Sequence, residues 1–151
     1  MDITDDGLSA RAIHAYITEK RRTQAEEARR QDEAARAERA KLRQHFMEQE
    51  VPADAMGQVA RLVRRAVDAG EKRVLVLQCP SDWLPDQGRS ISNHAGDWHE
   101  HLDGLAARAY AFYERELKKR GFQLQAEIIS WPDGMPGDVG FFLHWHSPDE
   151  E

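Results

Sequence analysis

At 151 residues the chain has room for one ordinary domain. A formal charge of −6 and a pI near 5.6 argue against nucleic-acid binding through overall charge, because such domains show a basic stripe or a high pI. Cys79 is the only cysteine, which excludes an internal disulfide and any cysteine-based zinc site, and points to a reducing compartment. Residues 1–6 are acidic with no apolar stretch behind them, and the longest aliphatic run is Val74 to Leu77. A soluble, cytoplasmic protein without signal or membrane span is expected.

The charge is uneven. Residues 9–50 hold ten Lys/Arg against eight Asp/Glu, a net of +2, whereas residues 51–151 hold eleven against sixteen, a net of −5. Segments of opposite sign can meet in cis or face different partners.

Ser9 is positioned to cap a helix that runs without Pro or Gly to Glu50 and stops at Val51-Pro52. Its residues are mostly the strong helix formers Ala, Arg, Glu, Gln and Lys. Carboxylate–base pairs such as Glu26/Arg30 and Asp32/Arg36 support it locally. Between Thr18 and Lys41 the only apolar side chains are alanines, so no wide stripe there can be buried in a core. A coiled coil normally shows apolar a and d positions over several heptads, and this segment offers only Ala at that spacing. Its ends differ: Ile13, Tyr16 and Ile17 cluster near the start, and Leu42, Phe46 and Met47 near the end. The second cluster is expected to pack on the following domain. The first, about 45 Å away at ~1.5 Å per residue, is the better candidate for docking elsewhere.

Residues 54–69 place Met56, Val59, Leu62, Val63, Ala66 and Val67 on one helical face, ended by Gly70. Val74 to Gln78 reads as a buried strand. An irregular segment, 79–96, follows. Asp97 and Glu100 have the spacing of a capping box, predicting a helix from there to Arg120, closed by Gly121. Alternation then predicts strands over 122–128 and 139–145, joined as a hairpin through 131–138.

The expected fold is α/β (α+β): a charged helical arm over residues 1–50, then a small domain, 51–151, with a mixed three-stranded sheet in the order α-β-α-β-β. A right-handed βαβ crossover followed by an antiparallel strand would put segment 79–96, the start of the second domain helix and link 131–138 at one end of the sheet. That end is where ligands favour open α/β sheets.

Segment 79–96 is longer than most connections, and such loops are functional or disordered. Asp82, Arg89, Asn93 and His94 are its candidate ligand-binding residues, with Arg89 suited to a phosphate or carboxylate. Ordinary loop chemistry explains the same residues. Trp83, Trp98 and Trp131, with Met135, fall at this end as well, either covering a small core or forming a contact surface. Cys79 followed by Pro80-Ser-Asp is where a nucleophile could sit, with His94 as base, but a lone Cys ending an apolar strand is mostly a small buried hydrophobe. His144 and His146 share a strand face, far from His94, His99 and His101, so no three histidines converge and no metal or other cofactor is expected. Arg61, Arg64 and Arg65 make a basic helical face, which with the arm would serve a nucleic-acid partner. No P-loop, glycine fingerprint, HExxH or paired-cysteine motif is present, and no family is indicated.

The expectation from these features is a non-enzymatic interaction or adaptor protein. It would dock to a protein partner or self-associate through Ile13, Tyr16 and Ile17, and present a Trp-rich surface at the carboxyl end of its sheet. An anion- or small-molecule-binding enzyme or sensor using loop 79–96 is the alternative, and a basic-arm nucleic-acid binder the second.

Overall fold

The computed structural model describes residues 7–145. The chain divides into two compact units, one up to Gln44 and one from His45 on.

The first unit is helical. Helix α1 spans Ala10–Glu48, and the Ser9 hydroxyl accepts a hydrogen bond from the Ala12 amide at 3.0 Å, as the capping role requires. Local contacts support its solvated face, among them an ion pair of 3.0 Å between Arg22 and Glu19. Ile13 and Tyr16 are half-exposed, and Ile17 is exposed. Leu42, expected to pack on the domain, is 52 % exposed.

The second unit begins with the last turn of α1, His45–Glu48, followed by α2 (Ala55–Asp68), β1 (Arg73–Pro80), a one-turn α3 (Arg89–Ser92), α4 (Gly104–Phe112), β2 (Gln123–Ile128) and β3 (Asp138–His144). Helix α4 does not end at Phe112. It widens into a π-helical stretch, Tyr113–Leu117, and then tightens into a 3₁₀ turn, Lys118–Arg120.

The three strands lie in the order β1-β3-β2, and both ladders are antiparallel. β1 and β2 therefore run the same way, as expected of a crossover, but they are not neighbours. The expected pairing between them is corrected: β3 returns into the gap, so no parallel ladder forms. The reason is burial. Val139, Phe141 and Leu143 are the most completely buried inward-facing set of any strand, at 0, 3 and 0 % exposure, and the central position covers them from both sides.

Register aligns Val74, Leu143 and Leu124 across the sheet, and likewise Cys79, Val139 and Ile128. These inward residues join two core clusters, one with Phe46, Leu84, Ile91 and Ala106, the other with Tyr113 and Leu117. On the alternate positions Leu75 stays exposed, and Arg73 lies 4.0 Å from the Phe142 ring centroid and 3.1 Å from the Glu127 carboxylate.

A second correction concerns α4. Its predicted start at Asp97 is instead a 3₁₀ turn, Trp98–Glu100, with the Asp97 carboxylate 3.3 Å from His101 Nε2. The helix begins at Gly104, where the Asp103 side chain accepts from the Gly104 amide at 2.8 Å. Aromatic packing decides this. Trp98 meets Tyr110 edge-on at 5.6 Å, and His99 stacks on Tyr110 at 5.0 Å, which folds the segment back along the helix.

Between Gly104 and Arg108, one turn apart, α4 receives the last turn of α1. Arg108 Nη1 donates to the carbonyls of Met47 and Gln49 at 2.8 and 2.9 Å, satisfying acceptors left over at the end of the helix. Phe46 is 6 % exposed, with its ring 5.1 Å from that of Trp83.

Candidate functional site

The carboxyl end of β1 and β2 is closed by backbone stitching. Ser81 N donates to Gly137 O at 2.9 Å and its hydroxyl to Pro136 O at 3.2 Å, while Asp138 N donates to Ser130 Oγ at 2.8 Å. Loop 79–96 is thus a folded cover, anchored by Leu84 and Ile91 at 3 and 2 % exposure. Asp86 organises it, accepting from the amides of Gly88 and Ser90 at 3.0 and 2.9 Å. Burial pushes the Asp86 carboxyl up, but hydrogen bonds from Ser90 and Gly88 and the nearby His101 outweigh that and hold it below its ordinary value. The pattern Asp86-Gln-Gly-Arg-Ser90 was a legible signal for this Asx-type cap.

Asp82, Arg89, Asn93 and His94 are all exposed, on the outside of this cover. His94 has φ of 55° and borders a shallow depression with Trp98, Gln125 and Glu127. The tryptophans divide. Trp83 and Trp98 are half-buried and pack on the core, whereas Trp131 and Met135 are 54 and 66 % exposed on one short link, Trp131 to Met135, folded as a 3₁₀ turn. Arg61, Arg64 and Arg65 are exposed on α2, with Arg61 4.0 Å from Asp54. His146 lies outside the described residues. Among the described residues, no group of three or more His, Cys, Asp or Glu side chains is arranged to hold a metal ion, and no helix is long and apolar enough to cross a membrane.

Cys79 is 2 % exposed, and burial first, then the charges of Asp138 and Asp82, pushes its thiol from 9.0 up to about 12. The thiolate needed for nucleophilic attack is correspondingly disfavoured. Tyr110 rises from 10.0 to about 12, through burial first and then its hydrogen bond and charge interaction with Glu114. Both folded values lie above the unfolded ones, so each neutral group contributes stability that is complete below the unfolded pKa and lost as pH rises through the folded one. The melting temperature is therefore expected to fall progressively between pH 9 and 12. Iodoacetamide at pH 8 is expected to alkylate the folded chain at least about a thousandfold more slowly than the urea-unfolded chain. Equal rates would contradict the placement of Cys79.

A separate feature carried no sequence signal. Between α2, α4 and the inner face of the sheet lies a half-open cavity of about 210 Å³, bordered on one side by residues 49–52. Its walls include Leu62 of α2, Leu105, Ala109 and Tyr113 of α4, and Phe141 and Leu143 of the sheet, with Gln49 and Gln58 also among its lining residues. No Asp, Glu, Lys, Arg or His lines it. The π-helical stretch of α4 contributes Tyr113 and Leu117 to this wall, and the Tyr113 hydroxyl donates to Phe122 O at 3.0 Å. Each of these apolar residues reads from sequence simply as core; the unfilled space between them depends on how the two helices are set on the sheet.

Compared with protein-family models, with curated proteins and with solved structures, the chain matches none.

Proposed function

We propose that this is a non-enzymatic interaction protein that engages a partner protein, or a second copy of itself, through the stripe Ile13, Tyr16 and Ile17. The observation that carries this reading is in α1: its only buried side chain is Phe46 in the last turn, yet its first turns carry three large apolar residues at i, i+3 and i+4. Such spacing suits a helix laid into a groove or against another helix. A contact surface formed by Trp131 and Met135, exposed on a link whose Ser130 and Gly137 are held by hydrogen bonds, accompanies it. Aromatic and Met side chains are enriched at interfaces, and Trp is among the residues that most often anchor them.

The test uses the full chain carrying Ile13→Ser, Tyr16→Ser and Ile17→Ser together, compared with the unaltered chain by light scattering over micromolar concentrations and by retention of proteins from a lysate. The unaltered chain is expected to show either a mass above the monomer or a specifically retained protein, and the substituted chain to lose it with unchanged helix content. A monomer that retains the same proteins with and without the substitutions would end this reading.

A further inference from the structure

We propose that the cavity between α2, α4 and the sheet is a binding site for a small, uncharged aromatic molecule. Size is the first argument. The pocket opens to solvent on one side while its floor is the apolar inner face of the sheet, and an apolar space of ~150 Å³ is enough to take up benzene. A space of about 210 Å³ exceeds that and by proportion accommodates roughly eight or nine heavy atoms, the size of an indole or a substituted phenol.

Charge is the second. The lining holds no ionisable side chain other than tyrosine, so a bound ion would lose its hydration with nothing to replace it. Both tyrosine hydroxyls are kept neutral or engaged elsewhere: burial and Glu114 hold Tyr110 protonated, and Tyr113 donates to Phe122 O. Gln49 and Gln58 are the other polar residues among the lining, Gln58 at its exposed edge, so a hydrogen-bonding group on the ligand has a place only at the mouth. Gln58 Nε2 already donates to Asp54 Oδ1 at 3.0 Å, leaving its carbonyl oxygen to accept.

The third argument is the helix wall. Tyr113 and Leu117 belong to the π-helical stretch of α4. Such interruptions are rare and are frequently found at functional sites. Here it interrupts the α-helical geometry of α4 at the residues that form the wall, rather than letting a regular helix continue past them. Ile13, Tyr16 and Ile17 are not among the lining residues, so its failure would leave the interaction reading untouched.

The probe is indole, titrated to millimolar concentration into the full-length protein and followed by methyl chemical shifts of Leu62, Leu105 and Leu143 together with the melting temperature. Saturable methyl shifts and a rise of a few degrees are expected. Indole-3-acetate, charged at neutral pH, is expected to bind at least tenfold more weakly. Ala109→Leu, on the half-buried side of α4, and separately Val59→Leu fill the space from its two helices and are each expected to weaken indole at least tenfold without lowering the melting temperature of the free protein. Two variants keep the test decisive if one of them misfolds. The proposal is overturned if indole moves none of these methyls, if the filled variants bind it as before, or if indole-3-acetate binds equally well. Methyl shifts that follow protein concentration in the absence of indole would assign the cavity to a second copy of the chain and overturn it too.

Discussion

Gly104→Ala is expected to destabilise the protein by about 3 kcal/mol, the sum of two effects that a control can separate. Gly104 has φ of +57°, where an L side chain costs roughly 1–2 kcal/mol. A Cβ built there would also sit 2.8 Å from Met47 Cα and 2.9 Å from Phe46 O, so the backbone of the last turn of α1 would have to move. Overpacking of that kind costs roughly 1–3 kcal/mol more. Gly121 has φ of +90° with nothing within 4 Å of the corresponding Cβ, so Gly121→Ala should show the conformational cost alone. Urea denaturation of both variants checks this. If the two lose the same stability, the close approach of α4 to the end of α1 is not what Gly104 provides.

Leu143→Ala is expected to cost about 3–5 kcal/mol, near the top of the range for buried leucine. Leu143 is fully buried on the central strand, between Val74 and Leu124, and packs with Tyr113 and Leu117. Ladders on both sides hold its backbone in place, so the structure has little freedom to close the void. It also lines the existing cavity, so truncation enlarges that space instead of being absorbed by it. Phe142, the next residue, faces the other side of the sheet, where it is half-exposed beneath Arg73. Phe142→Ala is expected to cost clearly less, despite removing a larger side chain. Denaturation midpoints in which Phe142→Ala proved the more damaging would invert the assigned faces of β3.

Much of the secondary structure was legible because its signals are local. Ser9 before an uninterrupted run of helix formers and Pro52 after it bracket α1 to within a few residues of its observed ends. The alternation of Val139, Phe141 and Leu143 identified β3 and its inward face. The start of α4 misled because two signals competed: Asp97 and Glu100 look like a capping box, while Asp103 before Gly104 looks like a turn. The choice fell to contacts the local pattern does not contain, with Trp98 and His99 on Tyr110 and Gly104 against the end of α1. In loop 79–96 the legible local signal lies at Asp86, whose spacing to Gly88 and Ser90 suits a side-chain cap, rather than at its neighbours Asp82 and Arg89.

Within each segment, then, periodicity, caps and breakers determined where helices and strands form and which face of each is apolar, since those depend on residues a few positions apart. The charged helix with its two apolar ends belongs to this class. The tertiary structure decided the strand order, the split between covered and exposed tryptophans, and the capping of α1 by Arg108 from 61 residues away. It also created the cavity, which belongs to no single segment. Loop closure and packing at a distance set these features, and short-range pattern carries no record of which distant surfaces will meet.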